Sequence, residues 1–307
     1  MSQAPPSDPA GPSSPAGVLA AAAHPDAVAR ARRLAEALAL PLLAAPPAEG
    51  LVLRVDGAGL ALCACGPDAP GPLSVDFLRG RTAWRGRTAG ARQPLARAVG
   101  LGRGGADRPP RILDATAGLG ADTWTLAALG ARVLAVERHP VLHALLADGL
   151  ARARRAASDT VREAAGRIAL LCGEATALPG WAAPTDARSL ATFLDGQGLP
   201  PDAAAAWADH GPADAVYLDP MYPAARGSAR PKKEMQVLRR LLGAPDPAEQ
   251  AALLAAALAS GAGRVVVKRP RGAPALAGRP PDRPCESKQV RFDVYLASAG
   301  PRDYDRR

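Results

Sequence analysis

"RILDATAGLGADTWTLAALGARVLAVE", residues 111–137, decides the fold class of this chain. A short apolar run ends in Asp114, and a turn containing Gly118 and Gly120 separates it from a helical segment. A second apolar run then ends in Glu137. Strand, glycine turn, helix and strand in this order predict a βαβ unit, in which two parallel strands are joined by a crossover helix.

The same alternation continues to the end of the chain. Nearly continuous apolar runs predict further parallel strands, buried on both faces, and the segments between them predict helices. The predicted strands are "RIALLCGEA" (167–175), "DAVYLD" (214–219), "GRVVVKRP" (263–270) and "KQVRFDVYLAS" (288–298), and the predicted helices are 122–129, 140–157, 231–242 and 247–260. We therefore predict an α/β fold with a Rossmann-like sheet.

The residues before this domain have a different character. A helical segment at 24–43, two short strands joined by a glycine turn ("LVLRVDGAGLALCAC", 51–65) and a third strand at 71–78 predict a small α+β cap. The predicted organisation is a disordered tail over 1–16, the cap over 17–78, an Arg/Gly-rich connector over 79–110, and an α/β domain over 111–307 with an inserted excursion at 179–212.

Composition limits the classes of function. No apolar stretch reaches the ~18 residues that a membrane helix needs, and the N-terminus does not resemble a signal peptide, so we expect a cytoplasmic protein without a membrane partner. The 4 cysteines form no C-x-x-C pair, so we expect neither a disulfide framework nor a metal site. The net charge of +9 suits a polyanionic partner, although the excess of arginine over lysine also fits a GC-rich coding bias.

The glycine turn predicts an adenosine ligand without a pyrophosphate. A dinucleotide fingerprint needs a glycine where Thr123 stands, and Asp122 places negative charge at the helix N-terminus, where a phosphate would otherwise bind. Glu137 stands where an acid accepts hydrogen bonds from ribose hydroxyls, and Asp114 is positioned to face a ligand's ammonium group. S-adenosylmethionine fits this pattern, whereas a helix cap at Asp122 and a solvated Glu137 are the structural alternative.

Two further segments lie at the same carboxyl edge of the predicted sheet. Gly173 and Glu174 follow the third strand, where an adenine would lie, although an ordinary turn explains them equally well. The fourth strand ends in Asp219, Pro220, Met221 and Tyr222, similar to the (D/N)-P-P-(Y/F) signature of methyltransferases that modify exocyclic amines. Such an amine is a poor nucleophile until Asp219 and the Pro220 carbonyl accept its N–H groups and Tyr222 stacks on the base. The structural alternative is a rigid turn with a packed tyrosine.

Several longer segments resemble the ribosomal RNA small subunit methyltransferase J family. They are "DATAGLGADTWTLAALGARVLAVERHP", "VYLDPMYP", "KKEMQVLRRLLG", "RVVVKRPRGAPALAG", "SVDFLRG" and "RFDVYLAS", which together cover about 70–307. The resemblance implies a class I S-adenosylmethionine-dependent methyltransferase fold. It also implies methyl transfer to the N2 amine of one guanine in 16S rRNA, as free RNA or within the 30S subunit.

The resemblance also assigns residues. It implies cofactor contacts at Ala121, Asp122, Glu137, Arg138, Gly173, Glu174 and Asp219. The family usually has serines at the two positions after the third strand, and it has a histidine where Trp84 stands. Of the family's glycine-rich G-G-G-R-G run, only Arg92 is kept. We expect RNA contacts from Arg92, Lys232, Lys233, Lys268 and Arg269.

Other functions remain open at this point. A methyltransferase acting on DNA adenine or a protein amide uses a related site, and a non-catalytic RNA-binding protein could keep the same fold. Thr123 disfavours an NAD oxidoreductase. The Arg/Gly-rich segment 79–103, with its single tryptophan, is either a solvated linker or a surface for phosphates and stacked bases.

Overall fold

The computed structural model describes residues 13–21, 25–88, 90, 92–101, 108–178, 213–222 and 233–297, with the side chains of 233 and 234 excepted. The helices are α1 (Pro25–Ala37), α2 (Gly80–Thr88), α3 (Pro94–Val99), α4 (Ala121–Ala128), α5 (Pro140–Arg154), α6 (Asp159–Gly166), α7 (Lys233–Leu242) and α8 (Pro247–Ala259). The strands are β1 (Val18–Ala20), β2 (Leu42–Leu43), β3 (Gly50–Asp56), β4 (Gly59–Cys65), β5 (Arg111–Asp114), β6 (Arg132–Glu137), β7 (Ile168–Cys172), β8 (Ala215–Leu218), β9 (Arg264–Pro270), β10 (Arg283–Glu286) and β11 (Val290–Leu296).

The chain divides into two compact units. The first comprises Met1–Val75 and Tyr222–Pro245, and the second Asp76–Met221 and Asp246–Arg307. The first unit is therefore discontinuous in sequence, which differs from the predicted single cap at 17–78. None of the helices in the described part of the chain combines the length and apolarity that a membrane crossing requires.

The first unit contains a small mixed sheet in the order β2-β1-β3-β4. Its β3–β4 hairpin is the one that the sequence predicts, and the turn is closed where the Ala58 N–H donates to Asp56 Oδ1 at 2.9 Å. The predicted third strand at 71–78 is wrong, because it pairs through a single bridge, Leu62 to Leu73. Leu73, Val75 and Phe77 are buried at alternate positions, which explains why the segment has a strand-like pattern.

Residues 13–16, which the sequence assigns to the tail, are hydrogen-bonded to the first unit. The Ser13 N–H donates to the Arg240 carbonyl at 2.8 Å, and the Ala16 N–H donates to the Leu51 carbonyl at 2.8 Å. Residues 13–16 are thus fixed within the first unit, whereas 1–12 lie outside the described residues, as does the predicted excursion at 179–212.

The second unit is built on a seven-stranded sheet in the order β10-β11-β9-β8-β5-β6-β7. Strands β7, β6, β5, β8 and β9 are parallel, and β11 is antiparallel to β9. The predicted Rossmann-like α/β fold is confirmed. The β5-to-β8 order brings the carboxyl ends of four functional strands, β6, β5, β8 and β9, to one edge of the sheet, where ligands bind in such folds.

The predicted connector is part of this second unit and contains α2 and α3. Helix α2 packs on α4, and Phe77, just before α2, stacks on Trp124 of α4 with ring centroids 4.4 Å apart. A Cβ at Gly86 would lie 2.4 Å from Trp124 Nε1, so this close helix contact requires glycine. The sequence does not predict helix α2, because this arginine-rich helix lacks an extensive apolar face.

Candidate active site

The glycine turn is held together by two buried acids. Asp114, at the end of β5, accepts hydrogen bonds from Thr123 Oγ1 at 2.5 Å and from the Thr116 N–H at 3.2 Å. Glu137, at the end of β6, accepts the Gly118 N–H at 2.7 Å and the His139 N–H at 2.8 Å. Each carboxylate therefore fixes the backbone of the turn or the first residues of the following helix.

Burial controls the ionisation of both acids. Desolvation raises the pKa of Asp114 to about 7, although the hydrogen bonds from Thr123 and Thr116 oppose it. The pKa of Glu137 is also raised by burial, against the backbone hydrogen bonds that favour its charged form. Asp114 is 2% exposed. Its hydrogen bonds support the turn, and the predicted position facing a cofactor ammonium, directly or through water, stays a prediction.

The two glycines of the turn differ in their surroundings. Both have positive φ, 55° at Gly118 and 74° at Gly120. A Cβ at Gly120 would lie 2.5 Å from Leu146 Cδ1, so this glycine is required by packing. At Gly118 the nearest atom to such a Cβ is the Thr116 carbonyl oxygen at 3.9 Å, so this glycine borders open space at the sheet edge.

Four side chains form a charged network beside the turn. Lys268 of β9 donates to Asp122 Oδ2 at 2.6 Å and to Asp219 Oδ2 at 2.8 Å. The hydroxyl of Tyr217 also donates to Asp122 Oδ2, at 2.6 Å. Strand register explains this convergence, because Tyr217 pairs with Val266 and Leu218 with Val267, which puts Asp219 beside Lys268 at the next step.

The network sets the charges of its members. Burial alone would raise the pKa of Asp122, but the charge and hydrogen bond of Lys268, together with the Tyr217 hydroxyl, hold it below its ordinary value. Burial raises the pKa of Asp219 despite the opposing charge of Lys268, and the neighbouring Asp122 adds to the rise. Burial would lower the pKa of Lys268, but its two carboxylate partners raise it instead, so the lysine is charged.

The D-P-M turn is fixed from both sides. The Asp219 N–H donates to Thr116 Oγ1 of the glycine turn at 2.6 Å, and Gln250 Nε2 donates to the Met221 carbonyl at 2.7 Å. Within the described part of the chain, Asp219 Oδ1 and the Pro220 carbonyl accept no hydrogen bond. The Asp219 side chain keeps 39% of its surface exposed, whereas Pro220 itself is buried.

The remaining predicted cofactor residues lie around the same edge. Ala121 begins α4 directly after the turn. Arg138 Nη1 lies 2.8 Å from Glu249 Oε2 and 3.6 Å from Glu174 Oε1, and the Gly173 N–H donates to the Glu137 carbonyl at 3.0 Å. The loops after β6 and β7 are therefore adjacent, and contact of these residues with the cofactor stays a prediction.

The residues predicted to bind RNA are distributed differently. Lys268 belongs to the acidic network through its bonds to Asp122 and Asp219, and its predicted contact with the RNA backbone stays a prediction. Arg269 is 4% exposed, and its guanidinium donates to the Pro274 carbonyl from Nε at 3.1 Å and Nη2 at 2.8 Å. The side chain therefore holds the loop after β9, and its predicted phosphate contact stays a prediction.

The other predicted RNA and base contacts stay predictions. Arg92 is exposed in the turn before α3. Lys232 and the side chain of Lys233 lie outside the described residues. Tyr222 is half-buried and belongs to the first unit. No group of three or more His, Cys, Asp or Glu that could bind a metal occurs among the residues that the structure describes.

Three site residues are not predicted from the sequence. In the sequence, Thr123 is notable only because it replaces the last glycine of a dinucleotide-binding fingerprint. In the structure, its hydroxyl donates a hydrogen bond to Asp114. Thr116 orients the backbone of Asp219, and Tyr217 orients Asp122. The polar hydroxyl of Tyr217 within an otherwise aliphatic strand is the available signal for its role.

A glycine turn bordering open space, acids at the ends of adjacent strands and a D-P turn next to them define a class I S-adenosylmethionine-dependent methyltransferase. In agreement, residues 33–188 and 201–297 match a family described as "Putative SAM-dependent methyltransferase". S-adenosylmethionine is the cofactor of this class. The open space at Gly118 and the acid at the α4 N-terminus fit this sulfonium ligand, which lacks a pyrophosphate.

The chain belongs to the ribosomal RNA small subunit methyltransferase J family. It is 45% identical over 280 residues to the member from Alkalilimnicola ehrlichii, which covers 90% of this chain and 94% of the relative. It is 43% identical over 268 residues to the member from Thioalkalivibrio sulfidiphilus, covering 87% and 92%. A crystal structure of a SAM-dependent methyltransferase from Neisseria gonorrhoeae aligns with a TM-score of 0.65 at 31% identity, covering 95% of this chain and 100% of that chain.

Proposed function

We propose that this protein transfers a methyl group from S-adenosylmethionine to the exocyclic N2 amine of a guanine in 16S rRNA. The observation that carries the proposal is a pair of adjacent acceptors beside the glycine turn, Asp219 Oδ1 and the Pro220 carbonyl, that accept no hydrogen bond within the described part of the chain. An exocyclic amine has two N–H groups, and two adjacent acceptors match them.

These acceptors address the weakness of the nucleophile. The amine lone pair of guanine is delocalised into the ring, so the nitrogen is planar and weakly nucleophilic. Hydrogen bonds from both N–H groups to Asp219 and Pro220 favour a tetrahedral nitrogen whose lone pair is available. The rigid proline and the fixed Met221 carbonyl hold this geometry before the substrate arrives.

Lys268 makes Asp219 suitable for this task. Burial and the nearby Asp122 both favour protonation of Asp219, and a protonated carboxyl group is a poorer acceptor. The ammonium group 2.8 Å from Oδ2 favours the ionised form and leaves Oδ1 available. Because the pKa of Asp219 nevertheless stays above its ordinary value, the carboxylate is also a better acceptor for the proton that the amine loses.

The cofactor chemistry is confined to one bond. S-adenosylmethionine supplies, when bound, an electrophilic methyl group on a positively charged sulfur. Gly118 would allow close approach of the backbone to this cofactor, Glu137 would offer its remaining lone pairs to ribose hydroxyls, and Asp122 would supply negative charge for the sulfonium. Ala121, Arg138, Gly173 and Glu174 would line the adenosine end, and Tyr222 would stack on the guanine.

Two observations support the choice of RNA as substrate. The relatives that align over about nine tenths of the chain are named as ribosomal RNA small subunit methyltransferases. The net charge of +9 favours association with a polyanion. Arg92, Lys232 and Lys233 would contact RNA phosphates, and the protein would act in the cytoplasm, where ribosomal subunits are assembled.

Methyl transfer with labelled cofactor tests this function. Purified protein is incubated with S-adenosylmethionine carrying a labelled methyl group and with unmodified 16S rRNA, 30S subunits or double-stranded DNA, and the nucleosides are then separated. We expect label in N2-methylguanosine from the RNA or 30S sample. Label in methyladenine from DNA, or in protein alone, would contradict the proposal.

A further inference from the structure

Helix α2 presents a surface that the methyl chemistry does not use. Trp84 is 59% exposed, which is unusual for the largest apolar side chain. Arg81, Trp84, Arg85 and Thr88 recur at helical spacing and therefore share one face, and Arg87 lies beside them. All five side chains are exposed.

The opposite face of α2 is fixed to the protein. Ala83 is buried, and Gly86 lies against Trp124 of α4. The helix also begins after a loop whose Leu78 and Arg79 N–H groups donate to Asp76 Oδ1, at 2.8 Å and 3.2 Å. The exposed face is therefore carried on a packed helix.

The charge of this surface has one sign. The sequence has no acidic residue between Asp76 and Asp107, while seven arginines lie in that interval. Within the described part of the chain, the side chains of Arg81, Arg85 and Arg87 form no ion pair. Arginines that form no ion pair with a described residue favour an anionic partner.

The surface adjoins the active site. Arg85 acts electrostatically on Asp122, the residue at the start of α4 that also bonds Lys268. Both α2 and α4 belong to the same unit, and they pack on each other. An RNA strand that brings a guanine to Asp219 would therefore pass close to a basic surface with an exposed aromatic side chain.

We infer that the face of α2 formed by Arg81, Trp84, Arg85, Arg87 and Thr88 binds the single-stranded RNA that flanks the target guanine. A base stacks on the Trp84 ring, and the arginines contact the adjoining phosphates, which is how sequence-tolerant single-strand binding is built. The inference rests on the proposed function for the identity of the RNA and adds the surface that holds it.

Binding to unmodified 16S rRNA measures the contribution of this surface. Filter binding at several salt concentrations is performed with the full chain and with Trp84→Leu, Trp84→Phe, Arg81→Gln and Arg87→Gln. Arg155→Gln, at an exposed arginine just after α5, is the matched control for a lost positive charge. Calorimetry with S-adenosylmethionine verifies that each variant keeps a folded cofactor site.

We expect Trp84→Leu to weaken RNA binding at least about fivefold, since a stacked base contributes about 1–3 kcal/mol. Trp84→Phe should recover much of the affinity, because it keeps a ring. Each arginine variant on α2 should reduce the salt slope by about 0.7, the value for one lost phosphate contact on a single strand. Arg155→Gln should leave that slope unchanged.

Wild-type affinity and salt slope in Trp84→Leu and in both α2 arginine variants would overturn the inference. So would equal losses in Trp84→Leu and Trp84→Phe, because stacking distinguishes them. A wild-type protein that binds 16S rRNA but methylates another substrate would refute the proposed function, and the binding measurements on α2 would still decide this inference separately.

Discussion

Lys268 Nζ lies 2.8 Å from Asp219 Oδ2, and the same ammonium group lies 2.6 Å from Asp122 Oδ2. One lysine thus connects two acids. Asp219 is proposed to accept a hydrogen bond from the target amine, and Asp122 lies at the start of the cofactor-binding helix α4. Two neighbouring carboxylates would repel each other if both were ionised, and the shared cation offsets that repulsion. The arrangement explains how the half-buried Asp219 is available as an anion.

Removing the lysine charge should change the pH dependence of catalysis. Lys268 lowers the pKa of Asp219, against burial and Asp122, so Lys268→Met raises that pKa further. If ionised Asp219 is the active form, the acidic limb of the kcat/KM profile moves to higher pH. The groups that share this environment are Asp122, Tyr217 and Asp114, together with Arg85 of α2 near Asp122.

The profile is measured with saturating cofactor for the wild type, Lys268→Met and Lys268→Arg. The arginine variant keeps a positive charge and should recover part of the shift. A Lys268→Met enzyme whose rate falls by the same factor at every pH would show that the lysine only maintains the local structure.

Asp114 should make the folded protein less stable as the pH rises. Its pKa is about 7 in the folded chain, against an ordinary value of 3.8. The folded state therefore binds a proton more tightly than the unfolded state, and the stability contribution falls between about pH 4 and pH 7 and then levels off. Asp114→Asn keeps the shape of the side chain and removes this titration.

Urea unfolding of the wild type and of Asp114→Asn at pH 5 and pH 8 measures the effect. We expect the free energy of unfolding of the variant, relative to the wild type, to increase on going from pH 5 to pH 8. A difference between the two proteins that is the same at both pH values would exclude a raised pKa at Asp114.

Thr123 should contribute to stability through its hydroxyl. Thr123→Val keeps the size of the side chain but leaves Asp114 Oδ2 without its 2.5 Å hydrogen bond. Loss of a partner by a buried polar group costs about 1–3 kcal/mol, and chemical denaturation at pH 7 measures it. Thr125→Val is the control, because its hydroxyl donates to the Ala121 carbonyl on the same helix. Equal effects of the two variants would argue against a special role for Thr123.

The two glycines of the turn should respond differently to alanine. Gly120→Ala places a Cβ 2.5 Å from Leu146 Cδ1. An alanine in the left-handed backbone conformation alone costs about 1–2 kcal/mol, and this steric clash should make the loss of stability larger. Gly118→Ala meets open space, so it should cost about that backbone term and chiefly weaken S-adenosylmethionine binding. Thermal unfolding and calorimetry separate the two effects, and the opposite order of stability would contradict the described turn.

The sequence predicts the main parts of the site because the carboxyl ends of parallel strands lie at the same edge of a sheet. The residues after β5, β6 and β8 lie at one edge of the sheet by topology alone, so Asp114, Glu137 and Asp219 can be placed together without a structure. The edge position of Lys268 and Arg269 is equally predictable, but successive strand residues point to opposite faces. The β8–β9 register decides whether Lys268 or Arg269 points toward Asp219, and the sequence does not reveal that register.

Long-range assembly limits the rest of the prediction. Residues 222–245 join the unit formed by the first 75 residues, although a complete α/β pattern separates them in sequence. Helix α2 is not predicted from the sequence, because its packing depends on two small residues, Gly86 and Ala83, that form no marked apolar pattern. The hydroxyl partners Thr116 and Thr123 become recognisable once the turn brings them to Asp219 and Asp114.

The rate of a single methyl transfer in Asp219→Ala tests the central claim most directly. The variant is compared with the wild type on unmodified 16S rRNA or 30S subunits, with cofactor affinity measured in parallel by calorimetry. We predict that transfer falls by a factor on the order of 10²–10⁴ while S-adenosylmethionine affinity stays within a few-fold, because Asp219 acts on the amine. Transfer at the wild-type rate with intact cofactor binding would contradict the account.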